Sequence, residues 1–142
     1  MVARRDVVWQ VLTAIDRWPT WNPAVRSASL QGAVEKGTEF RWKAGPGTIV
    51  SRLELVEAPH RIAWSGRSMG IKAFHVHTLD DGDGRTVVRT EESYEGLIAR
   101  LLSGRLKRML NEAIRDGLLH LKTEAERASG EDRGPPPKAR GR

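Results

Sequence analysis

His75 and His77 stand two residues apart in the segment Ile71 to Leu79, and Glu92 and Tyr94 stand two apart in the segment Thr86 to Tyr94. In an extended chain that spacing puts both members of each pair on one face. Ile71, Ala73 and Leu79 share the face of the histidines, while Val88 and Thr90 share that of Glu92, so both pairs are expected to look inward. Between the segments, Asp80-Asp81-Gly82-Asp83-Gly84 is rich in residues that tolerate positive φ and predicts a hairpin. In register, Glu92 approaches His75 closely enough to hold its imidazole as a general acid or base near neutral pH. A purely structural His–Glu pair predicts the same geometry, because buried polar groups are paired whether or not they do chemistry.

Two histidines and a carboxylate are also the donor set of a facial metal site, but neighbouring strand residues share a face without binding a metal, and the expectation is no metal and no cofactor. His60 falls in a turn and His120 on a helix. The absence of cysteine removes thiol nucleophiles, disulfides and thiolate zinc sites, and fits a reducing cytoplasm. Gly45-Pro46-Gly47 is a turn rather than a phosphate loop, and no serine sits in a nucleophile-elbow context.

These groups need a scaffold, and 142 residues suffice for one domain with a single core. Val7, Val8, Val11, Leu12 and Ile15 form a helical stripe, with Asp6 placed to favour its N-terminus. Trp18-Pro19-Thr20-Trp21-Asn22-Pro23 is a rigid apolar corner in which Trp18 is expected to end one element and Asn22 to turn the chain, with a further helical turn at Trp21 to Val25. From Thr38 the period is two: Thr38 to Lys43, Ile49 to Val56, Arg61 to Gly66, Ile71 to Leu79 and Thr86 to Tyr94 read as antiparallel strands, about six in a meander.

From Leu97 to about Arg127 the period returns to 3.6, with Ile98, Leu101, Leu102, Met109, Leu110, Ala113, Leu121 and Ala125 near one face. Gly104 and Gly117 mark a bend or a close approach. Residues 129–142 read as a disordered basic, Pro- and Gly-rich tail, leaving 1–128 as the folded domain. The net charge of +6 includes Arg133, Lys138, Arg140 and Arg142 of that tail, and without them the body carries about +2. That excess is too small to argue for a nucleic-acid footprint. Arg100, Arg105, Lys107, Arg108 and Arg115 make the long helix basic, without the interleaved aromatics of a stacking platform. No stretch is long and apolar enough for a membrane span or a signal peptide, and the expected location is the cytoplasm.

Val8-Trp9 with Trp18-Pro19-x-Trp21-Asn22-Pro23, the strand start Gly37-Thr38-x-Phe40, Pro59-x-Arg61-Ile62-Ala63-Trp64, and Thr86-Val87-Val88 running to Glu92-x-Tyr94-x-Gly96 together resemble the polyketide cyclase/dehydrase-like branch of the START-like (SRPBCC) superfamily. The resemblance covers residues 2 to about 127. It implies an α+β helix-grip fold: a curved antiparallel sheet of six to seven strands around a long C-terminal helix, with short N-terminal helices and a cavity for apolar small molecules. Members of the superfamily normally begin with a strand, which here looks cut short. Either the true start lies upstream, or Thr86 to Tyr94 has an uncovered edge that a second chain could pair with, in which case a homodimer or an aggregation tendency is expected.

By alternation, Phe40, Trp42, Leu53, Leu55, Ile62 and Trp64 form one large aromatic face toward the long helix. Together with Ala73, His75, His77, Val88 and Met109 they are the expected ligand-binding residues for a small hydrophobic molecule, lipid-like or aromatic and polyketide-like. The resemblance implies carriage or sensing of such a ligand, or else a cyclase or dehydratase. In the enzyme His75 would remove a proton, Glu92 would orient His75 and Tyr94 would steady an enolate oxygen. A filled core serving as a protein–protein interaction module is the third reading.

Overall fold

The structure, a computed structural model, describes residues 1–95 and 104–132. Helix α1 (Arg5–Thr13) buries Val7, Val8 and Leu12 and carries Asp6 in its first turn, 3.4 Å from Arg4. A 3₁₀ turn (Ile15–Arg17) leads straight into α2 (Trp18–Trp21), with Pro19 in the first turn, where a missing N–H costs no helical hydrogen bond. Trp18 thus begins a helical turn instead of ending an element, and the turn expected at Trp21 to Val25 lies earlier in the chain. Asn22 does redirect the backbone: its Oδ1 accepts from the Ala24 N–H at 3.1 Å and its carbonyl from the Val25 N–H at 3.0 Å.

Six strands follow: β1 (Val25–Leu30), β2 (Glu39–Ala44), β3 (Thr48–Glu57), β4 (Arg61–Ser68), β5 (Ile71–Gly82) and β6 (Arg85–Glu95). They form one antiparallel sheet in chain order, and with α3 (Gly104–Asp132) complete the α+β helix-grip architecture. Strands β5 and β6 extend further into the expected loop than alternation suggested, joined at Asp83 and Gly84 with φ of 48° and 73°. Positive φ at both central positions is the turn geometry whose twist matches that of the flanking strands.

An irregularity in β3 changes which residues face inward. Leu53 opposes Trp64, but Leu55 opposes Ala63 and Val56 opposes Ile62. The extra residue shifts the phase of the strand, so Val56 packs on the core and Leu55 turns to the outer face with Ala63 and Val76. The expectation that Leu55 lines the interior is corrected here.

Helix α3 buries Leu121, Ala125 and Ser129, with Leu110, Ile114 and Leu118 half-buried on the same side, whereas Ala113 and Met109 are exposed. The helix continues through the expected tail boundary at residue 128, reaching Asp132. Gly117 lies against the Asn22 corner, where an added Cβ would stand 3.8 Å from Asn22 Nδ2. Leu97, Ile98, Arg100, Leu101, Leu102 and residues 133–142 lie outside the described residues. The core joins Val8, Leu12, Ile15 and Trp18 to Phe40, Leu53, Ile62, Trp64 and Leu79 under Leu121 and Ala125.

The N-terminus is tied into the sheet. The Met1 ammonium donates to the Thr86 carbonyl at 2.7 Å, the Thr86 N–H donates to the Met1 carbonyl at 2.9 Å, and the buried Thr86 hydroxyl donates to Ala3 O at 2.7 Å. The edge of β6 is therefore covered at Thr86, and among the described residues nothing pairs with it further along. Because Thr86 directs both backbone groups outward, alternation directs those of Val88, Thr90, Glu92 and Tyr94 outward as well.

Candidate functional site

Strand register sets the inner face as three rows. Ile62, His77 and Thr90 stand side by side across β4, β5 and β6, then Trp64, His75 and Glu92, then Gly66, Ala73 and Tyr94. The hairpin at Asp83-Gly84 fixes this alignment, and it places Glu92 opposite His75.

Beside these rows lies a dense aromatic cluster. Trp18 sits at its centre, with ring centroids 5.6 Å from Phe40, 5.5 Å from Trp42 and 5.5 Å from Trp64, and Phe40 meets Trp64 edge-to-face at 5.7 Å. Such perpendicular contacts bring the positive edge of one ring to the negative face of the next. Phe40, Leu53 and Ile62 are fully buried and Trp64 is nearly so, which makes this part of the predicted ligand surface a packed core. Trp42 is half-buried, as are Ala73 and Val88. Met109, at 59% exposure on α3, is not brought together with the others.

Polar groups divide into satisfied and orphaned. Trp18 Nε1 donates to Leu12 O at 2.9 Å and Trp42 Nε1 to Ser51 Oγ at 3.0 Å. Trp64 Nε1 is also buried and has no partner among the described residues. His77, its ring 4.6 Å from Trp64, contacts Thr90 Oγ1 through Nδ1 at 2.8 Å and leaves Nε2 unpartnered. His75 Nε2 lies 3.6 Å from Glu92 Oε1, while among the described residues Glu92 Oε2 and the Tyr94 hydroxyl have no well-formed hydrogen bond beyond their interaction with one another. The hydroxyl is nevertheless near enough to Glu92 to affect its proton affinity. Among the described residues, four polar atoms on this side of the sheet are thus buried without a well-formed partner, a rare condition in a folded interior.

Burial governs the charge of these groups. It lowers the His75 pKa to about 4, and burial with the neighbouring His75 lowers that of His77 to about 3. Burial raises the Glu92 pKa above its ordinary value against the smaller opposing effect of Tyr94, and burial and then Glu92 make the Tyr94 hydroxyl a weaker acid. Both imidazoles are neutral at pH 7. Among the described residues no three His, Asp or Glu side chains are grouped to hold a metal ion, and no helix is long and apolar enough to cross a membrane.

A groove of about 440 Å³ opens between the Thr86–Val88 end of β6 and α3, lined by Met1, Val88, Ile114 and Leu118 with Arg115 and Lys122 among its polar residues. It meets the inner face at Val88, one inward position from Thr90. His60 is exposed in the turn before β4, and His120 is half-buried on α3, remote in sequence from the rows above. Trp18 and Thr90 are the residues that sequence reasoning left out of the site. The register implied by the hairpin pairs Thr90 with His77 as directly as it pairs Glu92 with His75.

Solved structures share this fold. The hypothetical protein jhp0584 from Helicobacter pylori superposes with a TM-score of 0.76 at 18% identity, covering 87% of this chain and 81% of that one. A START superfamily protein from Mycobacterium smegmatis gives 0.75 at 12% identity, over 89% and 92% of the two chains. The di-domain ARO/CYC StfQ from the steffimycin biosynthetic pathway gives 0.73 at 16% identity, covering 91% of this chain and 49% of that chain. No curated protein matches the sequence. Residues 2–126 match the family described as polyketide cyclase/dehydrase and lipid transport, and the chain belongs to that family.

Proposed function

We propose that the protein binds a small hydrophobic molecule between the inner face of its sheet and α3, and that it carries or senses this molecule rather than transforming it. The observation that carries the reading is the group of four buried polar atoms on Trp64, His77, Glu92 and Tyr94 that lack a well-formed partner among the described residues, beside the apolar side chains of Phe40, Leu53 and Ile62. An orphaned buried donor or acceptor costs about 1–3 kcal/mol, a cost that a bound ligand relieves by completing its hydrogen bonds. Family membership supports the same reading.

Native mass spectrometry of gently purified protein tests it. An adduct that is lost on denaturation is expected. A bare polypeptide that stays bare after incubation with lipids and aromatic polyketides would overturn the reading in favour of a filled interaction module.

A second reading is a cyclase or dehydratase in which His75 takes a proton from the substrate, Glu92 orients His75 and Tyr94 steadies an enolate oxygen. The His75–Glu92 approach of 3.6 Å favours it. It stands second because a pKa of about 4 makes His75 a weak base at neutral pH, whereas a general base works best with a pKa near the operating pH. His75→Ala separates the two: a carrier keeps most of its affinity, and an enzyme binds but loses turnover. The unpaired edge of β6 further supports association of two copies through that strand.

A further inference from the structure

We propose that the ligand is an uncharged, flat molecule bearing an oxygen acceptor, seated with that oxygen against Trp64 Nε1 and His77 Nε2. The inference rests on the ligand-binding reading above and narrows it to a chemical class, with Trp64 and His77 as the residues that select it.

The donor inventory carries the assignment. An indole N–H can only donate, so the buried Trp64 Nε1 is satisfied by an acceptor and by nothing else. His77 is fixed beside it, its Nδ1 held by Thr90 Oγ1 at 2.8 Å. When the Thr90 hydroxyl donates to Nδ1, the ring proton sits on Nε2, and the orphaned nitrogen becomes a second donor next to the first. In that tautomer each of two rings whose centroids lie 4.6 Å apart carries a free N–H, and one carbonyl oxygen is the acceptor assigned to both. The rings of His75 and His77 offer planar faces, and Ala73, opposite Tyr94, is a small residue of the inner rows.

The charge of the surroundings excludes an anion. The titratable groups on the inner rows of β5 and β6 are two neutral imidazoles, Glu92 and Tyr94; burial sets the proton affinity of His75, burial and His75 that of His77, and burial and Tyr94 that of Glu92. Arg5 of α1 is engaged with Asp81 at 3.0 Å, at the far end of β5. Arg115 and Lys122 of α3 are exposed at the groove by Thr86. A carboxylate pressed against Trp64 and His77 would therefore lose its water without gaining a counter-charge.

Calorimetric titration of the full chain at neutral pH with four probes tests the class: 2-acetylnaphthalene, 2-ethylnaphthalene, 2-naphthoate and dodecanoate. The expected order has the ketone tightest, with the ethyl compound and both carboxylates at least about tenfold weaker, the range expected when a buried polar group is left unpaired. Trp64→Phe, which keeps a ring but removes the N–H, should cut the ketone's advantage over the ethyl compound by about three- to tenfold. Thr90→Val, which releases His77 Nδ1, should reduce that advantage in the same direction and does not disturb the aromatic cluster. If either carboxylate binds more tightly than the ketone, or the ketone and ethyl compounds bind equally, the class assignment is wrong and the cavity stands. If none of the four binds, the cavity reading falls and takes this inference with it.

Discussion

His75 and Glu92 face one another across β5 and β6 at 3.6 Å, yet the imidazole is neutral at physiological pH, so their contact is not an ion pair. Burial alone accounts for the lowered pKa of His75. Glu92→Gln should therefore leave the His75 imidazole titrating below pH 5, as in the parent protein, when followed by NMR of the ring protons. A parent value above 6.5 that drops on substitution would show that the carboxylate holds a charged imidazole after all.

Acid should unfold the protein through its two buried imidazoles. The unfolded histidines take up protons as the pH falls below about 6.5, while the folded ones resist down to about 4 and 3. The unfolded state then binds more protons, so stability present above pH 6.5 is lost as pH falls, by about 2 kcal/mol per imidazole at pH 5. Glu92 acts oppositely, since its raised pKa lets the folded state hold a proton that the unfolded chain has lost. Urea midpoints should fall steadily between pH 7 and pH 5, and a flat profile would contradict the burial of His75 and His77.

Phe40 is fully buried and edge-on to both Trp18 and Trp64. Phe40→Ala should cost about 3–5 kcal/mol, from lost transfer energy and the cavity left between two indoles. Chemical denaturation measures it, and a loss under 1 kcal/mol would mean that the cluster repacks freely.

Thr86→Val removes the hydroxyl that donates to Ala3 O at 2.7 Å in a fully buried position. The stranded carbonyl should cost about 1–3 kcal/mol and loosen the first residues, seen as faster amide exchange at Ala3 and Thr86. Unchanged exchange would show that the Met1–Thr86 backbone pairing suffices on its own.

Along β6 the outward backbone groups of Val88, Thr90, Glu92 and Tyr94 form a ready template for another strand. Sedimentation of the 142-residue chain over a wide concentration range should show reversible dimerisation. A single monomeric species at every concentration would remove the edge-pairing proposal.

The β5–β6 hairpin is legible in the sequence because Asp83 and Gly84 are residues that accept positive φ, and a tight turn fixes the pairing of every residue behind it. That is why the His75–Glu92 relationship can be read from spacing alone. Strand β1 is not legible, since its pairing slips between Val25 and Ser27 and its residues do not alternate. Leu55 is misplaced by strict alternation for the same reason: one irregularity in β3 reverses the phase for everything beyond it. The face of α3 is only half legible, because a stripe of apolar residues does not reveal which end of a helix is covered. Leu121 and Ala125 are buried, while Met109 stands in solvent. Whether Trp64 Nε1 finds a partner is beyond any sequence pattern, for it depends on where three indoles settle against one another.

The ammonium of Met1, seated on the Thr86 carbonyl at 2.7 Å, gives laboratory handling of this protein a structural meaning. Residues fused ahead of Met1 would be steered along β6 past Val88, beside the groove under α3. An affinity tag placed there would behave as an added strand and a partial plug, altering ligand uptake and self-association at once. Purification handles belong at the other terminus, and a protease that trims a leading tag back to Met1 becomes a reagent for switching that strand on and off.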